Sequence, residues 1–226
     1  MEGALGAGSA SGGAERVWAI VVAAGEGRRF GRPKQFELLG GRRVLEWAVD
    51  AARSVAEAVV LVVPRPALGD PAWRAGADLV VAGGPSRSAS VRAGLQVVPE
   101  DADVTLVHDA ARPLASAALF RAVLGAVRAG ADAAVPGVPV ADTVKRVARG
   151  RVVATLDRSD LVAVQTPQAF RTSWLRRAHE GAPEASDDAG LVEAIGGTVA
   201  VVPGEARNLK LTTVEDLEVA QAWQAR

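Results

Sequence analysis

The feature that most constrains this chain is the alternation of short, valine-rich runs with helical patterns along nearly its whole length. The runs are Val17–Val22, Ala58–Val63, Leu79–Ala82, Val104–His108, Ala133–Val138, Ala163–Thr166 and Thr198–Val202. They lack the strict apolar–polar alternation of a half-solvated strand, so they read as strands buried on both faces of a parallel sheet. Between them, helical patterns cover Val44–Val55, Ser86–Val97, Ser116–Ala129, Asp187–Ile195 and Thr213–Ala222. The last opens on an expected capping box, with Thr212 three residues before Glu215. Strands and helices in turn predict an α/β fold, a doubly wound and mostly parallel sheet.

Two segments stand outside this rhythm. Residues 1–16, MEGALGAGSASGGAER, are small and flexible, with neither an apolar stretch nor an arginine-rich pattern. They read as a disordered tail before one domain spanning 17–226. Pro139–Leu161 is polar, β-branched and turn-rich, with Arg149-Gly150 at its middle. It predicts a protruding β-arm, and a homodimer formed through residues 139–161 is expected, because an extended arm with few core anchors docks on a partner.

Composition narrows the chemistry. Lysine plus arginine number 26 and aspartate plus glutamate also 26, so the net charge is zero. Such a chain has no general attraction for nucleic acid or an anionic membrane, and phosphate chemistry must rest on a local cluster of cations. No apolar run approaches the ~20 residues of a membrane helix. The absence of cysteine removes thiolate nucleophiles and sulfur-ligated zinc, and fits a cytoplasmic setting. Only two histidines, His108 and His179, are present, too few for a multi-histidine metal site.

Directly after the first strand comes Ala23-Ala24-Gly25-Glu26-Gly27-Arg28-Arg29-Phe30-Gly31-Arg32-Pro33-Lys34-Gln35. Glycines here let backbone N–H groups approach phosphate oxygens, at the strand end where α/β sheets bind ligands. A Walker loop is absent, and Phe30 stands where the dinucleotide fingerprint needs glycine or alanine. The cations Arg28, Arg29, Arg32 and Lys34 against Glu26 favour phosphate binding over a plain solvated turn.

This A-A-G-x-G-x-R loop with P-K-Q resembles the nucleotidyltransferases, and specifically the 2-C-methyl-D-erythritol 4-phosphate cytidylyltransferase family. Further family patterns follow in order: Gly83-Gly84-Pro85-Ser86-Arg87-Ser88-Ala89-Ser90-Val91, His108-Asp109-Ala110-Ala111-Arg112-Pro113, Asp142-Thr143-Val144-Lys145, and Asp157-Arg158 leading to Gln165-Thr166-Pro167-Gln168-Ala169-Phe170. Ser186-Asp187-Asp188-Ala189 and Asn208-Leu209-Lys210-Leu211-Thr212 complete the set. Val22 replaces a common proline and Ser186 a common threonine.

The resemblance implies a nucleotidyltransferase-like Rossmann-type fold and transfer of CMP from CTP to the polyol phosphate, with pyrophosphate leaving. It also implies roles. Arg29 and Lys34 would stabilise charge on the triphosphate. Gly25 and Gly27 would approach its phosphates, while backbone groups at Ala23, Ala24 and Gly84 and the Ser90 hydroxyl choose the base. Asp109 would hold Mg²⁺ and reach the ribose, its bland alternative being a cap or turn aspartate; one carboxylate plus substrate phosphates suffices for magnesium. Arg112, Thr143, Arg158, Ser186 and Lys210 would bind the acceptor, with Arg158 and Lys210 also catalytic. His108 reads as structural. Another acceptor such as ribitol 5-phosphate is the competing enzyme, and a non-catalytic CTP-binding regulator the competing class.

Overall fold

The computed structural model describes residues 14–25, 27 and 30–224. The chain begins with β1 (Val17–Val22), a small hairpin of β2 (Leu38–Leu39) and β3 (Arg42–Arg43), and α1 (Val44–Arg53). Next come β4 (Ala58–Val63), β5 (Leu79–Ala82), α2 (Arg87–Leu95), β6 (Val104–Asp109), α3 (Ala117–Arg128) and β7 (Ala133–Pro139). The arm is β8 (Lys145–Ala148) and β9 (Arg151–Thr155), after which β10 (Val162–Val164) and β11 (Gln168–Arg171) return to the sheet. The chain closes with α4 (Thr172–Ala178), α5 (Asp188–Ala194), β12 (Val199–Pro203) and α6 (Val214–Gln224).

The main sheet runs β5-β4-β1-β6-β11-β7, with β12 on the far edge of β7 and β10 beside β7's C-terminal end. β1 is parallel to β4 and β6, β4 to β5, and β7 to β12, while β10 and β11 are antiparallel. Residues of successive strands alternate between two apolar layers. Val17, Ala19, Val21, Leu61 and Leu106 face the layer of α1 and α3; Trp18, Ile20, Val60, Val62 and Val107 face that of α2, α4 and α5. This two-sided burial is why the valine runs show no polar alternation. The sheet is doubly wound, mostly parallel and covered on both faces.

The expected strands β1, β4 and β5 coincide with the observed ones, and β6 runs one residue longer to include Asp109. Ala163–Thr166 needs correction: the strand is Val162–Val164, and Gln165 and Thr166 leave it. Their side chains turn to Asn208, Asp109 and His108, and Pro167 cannot donate to a ladder. The start of α6 also differs from the expected capping box of Thr212 and Glu215. α6 starts at Val214, and it is Asp216, not Glu215, whose carboxylate accepts the N–H groups of Thr212 and Thr213 at 2.7 and 2.8 Å. β11 and α4 were not expected; each is too short to print a period on the sequence.

The last residues of the expected tail touch the domain. The Arg16 N–H donates to Asp103 at 2.7 Å, and Glu15 accepts from Arg128 Nε at 2.8 Å. Residues 1–13 of that tail lie outside the described residues. Pro139–Leu161 does form a hairpin with Arg149-Gly150 at its turn, both at positive φ, and its strands belong to a separate two-stranded sheet. Among the described residues no helix is long and apolar enough to cross a membrane.

Candidate active site

The winding reverses between β1 and β6: the chain passes from β1 outward to β4 and β5, then crosses back to place β6 on β1's other edge. Loops leaving two such strands diverge and open a crevice at their C-terminal ends. A cavity of about 530 Å³ lies there. Its walls include Val22, Ala23, Ala24, Gly25, Gly27, Lys34 and Gln35 from the loop after β1, Gly84, Arg87 and Ser90 around the start of α2, Asp109, and Lys210.

The loop after β1 is shaped from inside. Gly27 has φ 65°, and its carbonyl accepts from Phe30 and Gly31 N–H groups at 2.8 and 3.0 Å. A Cβ at this position would overlap the Arg32 carbonyl oxygen, so only glycine fits. Phe30, which breaks the dinucleotide fingerprint, is buried in a small core with Leu39, Val44, Leu211, Leu217 and Ala220. That core ties the loop to α6. Gln35 is buried and its amide donates to the carbonyls of Ala23 and Gly25, both at 2.7 Å. Lys34 Nζ donates to the Leu211 carbonyl at 2.7 Å, joining the loop to the segment that carries Lys210.

Across the crevice, Ser90 Oγ donates to the Ser86 carbonyl at 2.8 Å and accepts the Gly84 N–H at 3.2 Å. Its proton is therefore committed to the turn, leaving a lone pair as what it can offer a ligand. A Cβ on Gly84 would collide with Ala89, so this turn needs glycine for close approach.

Asp109 is buried at the end of β6. Its Oδ2 accepts from Lys210 Nζ at 2.6 Å and its Oδ1 from Arg87 Nε at 3.2 Å. Burial works to raise the carboxyl's pKa, but Arg87 and then Lys210 outweigh it and hold the group well below the usual carboxylate range. The side chain caps no helix; it faces the cavity as a paired anion. His108, wholly buried, has Nδ1 3.1 Å from Thr166 Oγ1 and Nε2 3.2 Å from the Arg112 carbonyl. A ring that donates from Nε2 and accepts at Nδ1 is neutral, and burial pushes its pKa down to about 4.

Of the residues expected in the site, Ala23, Ala24, Gly25, Gly27, Lys34, Gly84, Ser90, Asp109 and Lys210 all line this one cavity. Arg29 lies outside the described residues. Arg112 is not in the wall: Nη1 donates to the Asn208 carbonyl at 2.7 Å, and burial lowers its pKa. Thr143, Arg158 and Ser186 are exposed and do not reach the cavity from within the chain. Gln35 and Arg87 were quoted within motifs without roles. Polar side chains that serve backbone carbonyls or other charges carry no mark of that duty in sequence.

A glycine-lined cavity that carries Lys34, Arg87, Lys210 and a single carboxylate at the switch point of an α/β sheet suits phosphates held by position and charge, as a nucleotidyltransferase requires. The family model for IspD, 2-C-methyl-D-erythritol 4-phosphate cytidylyltransferase, matches residues 17–226, and the chain belongs to that family. It is 46% identical over 215 residues to 2-C-methyl-D-erythritol 4-phosphate cytidylyltransferase of Rubrobacter xylanophilus, covering 90% of this chain and 93% of that protein. It is 44% identical over 225 residues to the bifunctional enzyme IspD/IspF of Clavibacter michiganensis, covering 93% of this chain and 55% of that longer protein. Among solved structures, 2-C-methyl-D-erythritol 4-phosphate cytidylyltransferase from Thermus thermophilus superposes with a TM-score of 0.78 at 38% identity, covering 92% of this chain and 98% of that one.

Proposed function

We propose that this chain transfers CMP from CTP to 2-C-methyl-D-erythritol 4-phosphate, with pyrophosphate leaving, as a step of non-mevalonate isoprenoid synthesis. The observation that carries this reading is the convergence of the glycine loop, Lys34, Asp109 and Lys210 on one cavity at the sheet's switch point. An oxygen of the acceptor's phosphate attacks the α-phosphorus of CTP in line. The new P–O bond forms as the bond to the β-phosphate breaks, and the electron pair leaves with pyrophosphate. Such a reaction asks for positioning and charge neutralisation rather than a covalent intermediate, which suits a chain without cysteine. Lys34 and Arg29 neutralise the triphosphate, while Ala23, Ala24, Gly84 and Ser90 bound the base. Lys210 serves the acceptor phosphate from the cavity wall, while Arg112, Arg158, Thr143 and Ser186, outside that wall, are assigned to the phosphate and polyol by the family resemblance.

Mg²⁺ is the cofactor we assign. The donor set fits it: Asp109 is ionised, lines the cavity, and has two of its roughly four lone-pair sites taken by Arg87 and Lys210. No cluster of three or more acidic, histidine or cysteine groups exists among the described residues, so substrate phosphates would supply the other ligands. Bound there, the ion supplies charge neutralisation on the phosphates.

The acceptor half of the site is shared between two copies in our reading. Thr143 and Arg158 flank the exposed hairpin and stand apart from their own cavity, which favours a homodimer whose arms complete each other's sites. Zero net charge and the lack of cysteine support a cytoplasmic protein acting on small molecules, without nucleic-acid or membrane partners. The test is pyrophosphate release with CTP and Mg²⁺ across a panel of polyol phosphates. The highest kcat/KM is expected with 2-C-methyl-D-erythritol 4-phosphate; a preference for ribitol 5-phosphate would replace the acceptor and keep the reaction.

A further inference from the structure

From Asp109 a line of charged groups runs through Arg87 in the cavity wall to the buried Asp188 and His179, and the proposed chemistry gives Arg87, Asp188 and His179 no role. Arg87 is the first residue of α2, fixed there by the Ser86 cap, whose side chain accepts from the Ala89 N–H at 3.0 Å. Its guanidinium bridges two carboxylates: Nε donates to Asp109 Oδ1 at 3.2 Å, and Nη1 to Asp188 Oδ2 at 2.7 Å. Asp188 opens α5 and is wholly buried, and its Oδ1 lies 3.0 Å from His179 Nε2 at the end of α4. Three elements therefore meet on one guanidinium, α2, β6 and α5, and the end of α4 joins them through Asp188.

The arrangement is asymmetric about Asp109. Lys210, on a loop, holds Oδ2 with a side chain that is 42% exposed. Arg87, also in the cavity wall but only 23% exposed, holds Oδ1 from the start of α2 and is itself held by a carboxylate with 0% exposure. Lys210 is also the cation assigned to the incoming acceptor phosphate, so its contact with Asp109 has to loosen when that phosphate arrives. Arg87 has no such second duty. A planar guanidinium can serve two carboxylates at fixed angles, which a compact ammonium cannot.

We infer that Arg87, braced by Asp188, is a positioning residue for the transfer: it fixes the Asp109 carboxylate in the cavity when Lys210 turns to the acceptor. This inference rests on the proposed cytidylyl transfer. It assigns Arg87 no contact with the reacting atoms, so its effect passes through Asp109.

A double-mutant cycle tests it. Arg87→Lys keeps a positive charge beside the buried Asp188 but cannot hold both carboxylates. It should lower kcat about tenfold, while KM for CTP and acceptor stays within about threefold. The cycle's second arm is Asp109→Asn, followed with radiolabelled CTP so that slow variants stay measurable. In that background Arg87→Lys should cost no more than about twofold further, because residues acting through one another are not additive. Thermal melting accompanies each variant. Should Arg87→Lys fail to fold, Arg87→Gln with Asp188→Asn removes both charges together and takes its place in the cycle, with the same result expected. An unchanged kcat overturns the inference. So does an equal loss in the wild-type and Asp109→Asn backgrounds, which would mean that Arg87 acts on the substrate directly. A wild-type enzyme without CTP turnover overturns the proposed function as well; an active wild type with multiplicative losses overturns the inference alone.

Discussion

At Gly27 the backbone holds φ 65°, and any side chain would overlap the Arg32 carbonyl oxygen. Gly27→Ala should therefore displace the loop after β1 and lower kcat/KM for CTP, with circular dichroism unchanged. Lys34→Ala should lower turnover by roughly a hundred-fold, or ~3 kcal/mol, the usual loss when one preorganised donor to a developing charge is removed. Turnover within threefold of wild type would deny Lys34 that role. His108 gives a pH signature in stability. Its folded pKa of about 4 lies below the ordinary value of 6.5, so the unfolded chain binds the extra proton first. Stability should be undiminished above about pH 6.5 and fall by up to ~3 kcal/mol as pH drops towards 4. His108→Gln should flatten that part of a melting-temperature profile. At this scale the sequence exposed the glycines and cations, because their types are rare in such a pattern. It hid Gln35 and Arg87, whose partners are backbone carbonyls and residues up to 101 positions away.

At the scale of elements, buried parallel strands were the legible part, since burial on both faces writes an unbroken valine run. β11 escaped because it is antiparallel, four residues long, and follows a proline. The acid that serves the start of α6 is one residue later than expected because acids at 215 and 216 both suit a first helical turn, and only geometry chooses Asp216. The arm was legible through its break in periodicity, and its surface explains why it stands apart. Val147 and Val152, paired across the hairpin, are 57% and 60% exposed. Valines on a free hairpin invite a partner. Val147→Asp with Val152→Asp should shift the protein towards monomer in sedimentation and reduce turnover on the polyol phosphate, while binding of a non-hydrolysable CTP analogue changes little. A monomeric variant with full activity would rule out an arm acting across subunits.

For the molecule as a whole, the winding of the sheet opens a cavity at the switch point between β1 and β6. Position in the fold thus joins residues from 22 to 210 into one cavity, a distance in sequence that no local pattern spans. Exchange between copies is testable at this scale. Lys34→Ala and Arg158→Ala, each impaired, should regain activity when mixed and allowed to swap subunits, because one site of the mixed dimer then carries neither defect. Confirmed exchange without recovery would place Arg158 in its own chain's site. The most direct test of the central claim follows the α-phosphorus itself. With CTP labelled at the α-phosphate and 2-C-methyl-D-erythritol 4-phosphate as acceptor, the label should appear in a cytidine diphospho-polyol, in step with pyrophosphate release. Label remaining in CTP, or released as free CMP, would contradict it.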